Sequence, residues 1–361
     1  SVLHTRTVRL TVHDPYVESA IMLRGQRVPL AANFTAGYGV WLARANFNRQ
    51  SLRSLLGREG GIDRPHVYLM QPYDPNRRII VMLHGLASSP EAWVELANEI
   101  LGDEALRQHY QIWQVYYPTN MPVALNHAMI RRALGETLTH FDPSGQAPAS
   151  SDLVLVGHSM GGVIARLMVS STDQSLVQLA ADHSRLTPQQ IRRIDPMLRF
   201  EPFPNVSSAI FIAAPHRGTS VAGGRLGRWM AGFIRFPITV LEELAHTLTP
   251  NAAASSRESL ATIPNSVNNL DENDPFVRTA AGFPISSQVR YHSIVAQANS
   301  EVALDDSDDG LVPYRSAHLP GAQSEKVIIS GHSVQQSAAA ILEIQRILRE
   351  DMALREAHLQ P

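Results

Sequence analysis

A chain of 361 residues, 44% hydrophobic and 18% charged, has the balance of a folded globular protein and is long enough for one large α/β domain or two smaller ones. A formal net charge of -2 offers no basic face for nucleic acid, and the absence of cysteine excludes disulfides, thiolate metal sites and a cysteine nucleophile. No apolar run reaches the length of a membrane span. Ser1 stands where an initiating Met would, so a processed or trimmed product is expected, with an export signal or lipid anchor among the segments that could have preceded it.

Thr7–Val12 alternates apolar and polar residues, as an edge strand does. Pro29–Phe47 carries Phe34, Tyr38, Trp41 and Leu42 in a pattern that fits helix and extended chain equally. It reads as packing surface, so residues 1–65 are expected to form an N-terminal extension against the core. Val67–Met70 and Ile79–Leu83 read as paired strands joined by a turn at Asp74-Pro75-Asn76, the second strand apolar throughout as if buried on both faces. After His84-Gly85-Leu86-Ala87, Ser88 or Ser89 is placed to cap a helix with Pro90 in its first turn and Trp93, Leu96, Ala97 and Ile100 inward. A strand at Ile112–Tyr117, a helix over Val123–Phe141 and a polar turn at Asp142–Ser151 follow. Strand and helix in alternation imply a mostly parallel α/β sheet.

The next stretch, Leu153–Gly162, is a short aliphatic strand, then Gly157-His158-Ser159-Met160-Gly161, then a helical repeat at Val163, Ile164, Leu167 and Met168. A serine on so tight a strand-to-helix turn takes up strained dihedrals, and the flanking glycines remove the side chains that would collide. Ser159 is the candidate nucleophile. The backbone N–H of Met160, at the helix start, is one candidate donor to a developing oxyanion, and Leu86 after the Ile79–Leu83 strand is the other.

Further strands are expected at Ala209–Ala213, Val289–Ala296 and Lys326–Ser330, and a last helix over Val334–Arg349 with Val334, Ala338, Ile341, Ile344 and Leu348 on one face. Between the first two lies a long excursion, residues 221–283, that reads as a helical lid or binding wall; its Trp229, Met230, Phe233 and Phe236 are the candidate substrate-binding residues. Residues 66–220 and 284–361 make up the core. A serine needs a base, and the base needs a partner that fixes its tautomer. His332, in Ser330-Gly331-His332-Ser333 at the end of the last strand, is the candidate base. In Asp305-Asp306-Ser307-Asp308-Asp309-Gly310 the acid is best placed at Asp309, because Gly310 permits the turn that points its carboxylate inward. The other aspartates read as a solvated run, with calcium as an alternative whose spacing is no EF-hand. His84, His158, His216, His292 and His318 read as structural.

With these residues in place, the chain resembles a bacterial α/β-hydrolase of the lipase and carboxylesterase kind, a group that includes polyester-hydrolysing esterases. The resemblance spans residues 66–350. It rests on His84-Gly85-Leu86, Gly157–Gly162, Ala214-Pro215-His216-Arg217-Gly218, Asp309–Pro313 and Gly331-His332-Ser333. It implies an α/β-hydrolase fold with a helical lid and a Ser159, Asp309, His332 triad. The reaction implied is cofactor-free and metal-independent hydrolysis of a small-molecule, lipid or polymeric ester with an apolar acyl group. A monomer is expected, with association at a membrane surface if the excursion is exposed. Lipase, phospholipase and acyltransferase chemistry share these residues, and a catalytically silent binding protein is the non-enzymatic alternative.

Overall fold

A computed structural model describes residues 10–45, 64–183, 187–220 and 268–359. Its strands are β1 (Ala20–Leu23), β2 (Gln26–Pro29), β3 (His66–Leu69), β4 (Arg78–Leu83), β5 (Tyr110–Tyr116), β6 (Leu153–His158), β7 (Val206–Ile212), β8 (Arg290–Gln297) and β9 (Ser324–Ile329). β1 and β2 form a separate hairpin; the other strands make a seven-stranded sheet in the order β3-β5-β4-β6-β7-β8-β9. Every pairing in that sheet is parallel except the edge pair β3·β5.

The aliphatic runs become central strands because each must bury both faces. Along β4, Ile79, Val81 and Leu83 enter one core, while Ile80 and Met82 enter a second core on the opposite face. β6 and β7 alternate in the same way: Leu155 and Phe211 on the first side, Val156 and Ile210 on the second. The helices Val123–Phe141 and Met160–Met168 cover the first face, and Val94–Gly102 and Ala338–Leu359 the second. Burying each such aliphatic side chain contributes about 1.5–3 kcal/mol.

The turn at Asp74–Asn76 does not close a hairpin. β5 lies between β3 and β4 and pairs with both, antiparallel to β3 and parallel to β4. The reason is burial: β4 is buried at every position and needs a strand on each side, whereas β3 is only partly buried and stays at the edge. Leu10–Val12 form no strand, and Leu10 and Val12 are almost fully exposed; Thr7–Arg9 of that expected strand lie outside the described residues. Within Pro29–Phe47 the helix Ala36–Ala45 forms, and its Leu42 packs with Tyr116 at the sheet edge. Ser89 precedes a 3-10 turn, Pro90–Trp93, without a side-chain cap, and the α-helix begins at Val94. The last helix starts at Ala338, which is exposed; its buried apolar positions are Ala340, Ile341, Ile344, Ile347 and Leu348.

Of the excursion expected over 221–283, residues 221–267 lie outside the described residues. Leu270, Phe276 and Phe283 belong to the first core, and the short helix Pro275–Ala280 is capped by Asp274. Trp229, Met230, Phe233 and Phe236 lie outside the described residues. Two helices the sequence pattern left unassigned, Ser175–His183 and Pro188–Leu198, pack against each other, the second opened by a Thr187–Gln190 capping box. No described helix is long and apolar enough to cross a membrane.

Candidate active site

The carboxyl ends of β4, β6, β8 and β9 converge, which is where open parallel sheets present their ligand-binding loops. Ser159 follows β6 directly and precedes the helix Met160–Met168, with φ 55° and ψ -125°. That is a strained conformation for any residue with a side chain. Its amide donates to the Ile212 carbonyl at 2.9 Å, and its own carbonyl accepts from the Gly162 and Val163 amides at 2.9 and 3.3 Å. The glycines are sterically required. A Cβ on Gly157 would stand 2.4 Å from the Gly161 oxygen, and one on Gly161 would stand 2.2 Å from the Leu83 oxygen.

The structure brings Ser159, His332 and Asp309 together. His332 Nε2 is 2.9 Å from Ser159 Oγ, and His332 Nδ1 is 2.8 Å from Asp309 Oδ2. Asp309 is 4% exposed, and its other oxygen, Oδ1, accepts from the Leu311 and Val312 amides at 2.9 and 2.7 Å. Gly310 takes φ 93°, and the Asp308–Pro313 bridge closes the loop that turns this carboxylate inward. Asp305, Asp306 and Asp308 point elsewhere and are exposed. No group of three or more His, Asp or Glu among the described residues is arranged to hold a metal ion.

Met160 is the first residue of its helix, so its N–H has no intrahelical acceptor. The Leu86 amide likewise has no partner among the described residues. Both residues flank Ser159, and Leu86 and Ser159 line one cleft of about 530 Å³ with Gly85, His158, His332 and Gln335. The Leu86 loop is held from beneath. His84 stacks on Tyr117 with centroids 4.3 Å apart, its Nδ1–H donates to the Gly85 carbonyl at 2.9 Å, and the Tyr117 hydroxyl donates to the His84 carbonyl. Ala87, at φ 54°, donates its amide to Thr119 Oγ1 at 3.2 Å.

Burial pushes the His84 pKa down to about 4, so the ring is neutral and fixed in one tautomer. His158 is similar: burial, then the neighbouring His332, lowers it to about 3. Its Nε2–H donates to the His332 carbonyl at 2.9 Å, which ties the loop bearing the candidate base to the strand bearing the candidate nucleophile. Sequence reasoning missed that link, and the only signal for it is the histidine next to Ser159. His216 is buried against Phe211, His292 Nδ1 meets Ser324 Oγ at 2.8 Å, and His318 Nδ1 meets Glu325 at 2.7 Å, all away from the cleft.

Chemically, this is a serine hydroxyl within reach of a base, a carboxylate fixing the base's tautomer, and free amides beside the serine. Residues 80–344, well over half of the sequence, match the alpha/beta hydrolase family. The chain belongs to the alpha/beta hydrolase family and is a hydrolase.

Among solved structures, the chain is similar to a Bacillus licheniformis lipase in its mature form, at 18% identity over 78% of this chain and 98% of that one, TM-score 0.45. It is also similar to a metagenomic carboxyl esterase, at 18% identity over 77% of each chain, TM-score 0.41. A third likeness is to esterase B from Lactobacillus rhamnosis, at 13% identity over 91% of this chain and 95% of that one, TM-score 0.41. No curated protein sequence matches the chain.

Proposed function

We propose that the protein is a serine carboxylesterase whose catalytic triad is Ser159, His332 and Asp309. The observation that carries the reading is the unbroken series Ser159 Oγ–His332 Nε2–His332 Nδ1–Asp309 Oδ2, at 2.9 and 2.8 Å, on a strained serine at the head of a helix. His332 Nε2 takes the hydroxyl proton as Ser159 Oγ attacks the ester carbonyl carbon. The oxyanion accepts from the Leu86 and Met160 amides. Collapse breaks the bond to the alcohol oxygen, which leaves with the proton from His332 and gives the acyl-serine ester. Water then gives a proton to His332, its oxygen attacks the acyl carbon, and the proton returns to Ser159 as the acid departs. Asp309 holds Nδ1–H throughout and stabilises the imidazolium.

The apolar sequence around Trp229, Met230, Phe233 and Phe236 supports acyl groups that are themselves apolar, aliphatic polyesters included, and a lid role for the 221–283 excursion. The test is hydrolysis of p-nitrophenyl esters from acetate to palmitate by wild type and Ser159→Ala. The expected result is turnover that falls by about 10³-fold or more in the variant. Full activity of Ser159→Ala would refute the mechanism, and inactivity of the wild type on every ester would refute the substrate class.

A further inference from the structure

Arg166 sits in the last turn of the helix that Ser159 heads, and only 7% of it is exposed. Its Nη2 donates to the carbonyls of Ala281 at 2.8 Å and Phe283 at 3.3 Å, and its Nε is buried without an acceptor. Arg217, in the loop after β7, donates through Nη1 to the carbonyls of Arg315 at 2.6 Å and His318 at 3.1 Å. Neither guanidinium meets a carboxylate among the described residues. A buried cation without a counter-ion is costly, and a second cation beside it adds to the cost. The field between them is positive: burial and then the charge of Arg217 lower Arg166 to about 10, and the same two arginines help hold the buried His216 well below its ordinary value.

Both arginines line one cavity of about 570 Å³, whose wall contains no Asp or Glu among the described residues. Ser286, Ser287 and Gln323 add hydroxyl and amide donors, and Leu319 contributes to the apolar remainder of the wall. The Ser286 oxygen accepts from the Gln288 amide at 3.3 Å, which leaves its proton free to donate. The cavity shares no lining residue with the cleft at Ser159.

We infer that this cavity is an oxyanion-binding site for a ligand carrying a carboxylate or phosphate group. The guanidinium groups of Arg166 and Arg217 hold its oxygens in charge-assisted hydrogen bonds, and the ligand supplies the counter-charge that the described residues do not. The inference stands on this cavity alone and does not depend on the esterase reading.

The test is thermal unfolding of the full chain in chloride buffer, titrated with sodium phosphate or sodium hexanoate at constant ionic strength. The expected result is a saturable rise in Tm of about 2 °C or more at roughly ten times Kd for at least one of the two. Phosphate acting alone identifies a phosphorylated or inorganic ligand, and hexanoate an organic carboxylate. In Arg217→Gln the rise should vanish. Should that variant fail to fold, Ser287→Asp at the exposed rim supplies a built-in carboxylate, and it should lose the anion response. No rise above chloride in the wild type, or a full rise retained in either variant, would overturn the site.

Discussion

Lowering the pH from 7.5 to 5.0 should destabilise this protein steeply, through its buried histidines. His84, His127, His158 and His216 are each at most 6% exposed. Burial holds the first three at about 4, 3 and 3, and holds His216 well below its ordinary value. His127 shows why: both ring nitrogens are buried without a partner, and the ring lies 4.1 Å from that of Phe200.

A histidine whose pKa is depressed by folding costs nothing above its unfolded value near 6.5. As pH falls below that, the unfolded chain takes up a proton that the folded chain refuses, and stability declines until the folded pKa is reached. At pH 5.0, about 1.5 units below the unfolded value, His84, His127 and His158 each favour unfolding by about 2 kcal/mol, so together they remove about 6 kcal/mol, and His216 acts in the same direction. That is comparable to the whole stability of an ordinary domain. Urea unfolding followed by tryptophan fluorescence at pH 7.5, 6.5, 5.5 and 5.0 would measure the decline. His127→Leu should recover about 2 kcal/mol of it at pH 5.0. A midpoint that holds steady from pH 7.5 to 5.0 would show that these rings are protonated or solvated in the folded chain, and would refute the argument.

Asp309→Asn should lower kcat by about 10³–10⁴-fold with the fold intact. The two amides on Oδ1 hold the asparagine oxygen in place, so its NH₂ faces His332 Nδ1 and forces the tautomer that cannot accept the Ser159 proton; single-turnover hydrolysis reads the loss. Gly161→Ala places a Cβ 2.2 Å from the Leu83 oxygen and 2.5 Å from the His84 oxygen, both backbone. It should cost about 3 kcal/mol or more by urea unfolding and abolish turnover in whatever folds, since those residues lead into the Leu86 loop. Asp351→Asn should cost about 3 kcal/mol in the same assay. The buried carboxylate holds Arg78 at 2.5 Å, pairs with Arg290, and accepts from Tyr110 at 2.9 Å, tying the last helix to the sheet.

What was legible in the sequence follows from how local each signal is. Ile79–Leu83 and Leu153–Val156 announce central strands because burial on both faces demands an uninterrupted apolar run. Gly157, Ser159 and Gly161 announce the elbow because its backbone excludes other side chains there. Gly310 singles out Asp309 among four aspartates for the same kind of reason, a positive φ of 93°. Signals that depend on a partner far along the chain were silent. The sequence shows two apolar strands around Asp74–Asn76 but not the later strand that inserts between them. Nothing near His158 reveals a bond to a carbonyl at His332, and Arg166 reads as an ordinary basic residue in a last helical turn. The capping box at Thr187 was a local signal and was readable, and the helix it opens repeats Ile191, Ile194, Met197 and Leu198 at helical spacing, a second local signal that the sequence reading passed over.

The strain at Ser159 and the burial of its helix are one device. A residue held at φ 55° and ψ -125° costs about 1–3 kcal/mol, and the conformation persists only where its surroundings over-determine it. All nine residues of Met160–Met168 are buried, and Ile164, Leu167 and Met168 alone offset that cost, at about 1.5–3 kcal/mol each. The helix cannot relax away from the sheet without exposing that surface, and it cannot move closer because Gly157, Gly161 and Gly162 already bring backbone to backbone. The hydroxyl position is therefore set by core packing on one side and steric contact on the other. His158 carries the same constraint outward to the His332 loop. A serine hydroxyl fixed in this way stays within hydrogen-bond reach of His332 Nε2 without reorganisation, which is the preorganisation the proposed triad requires.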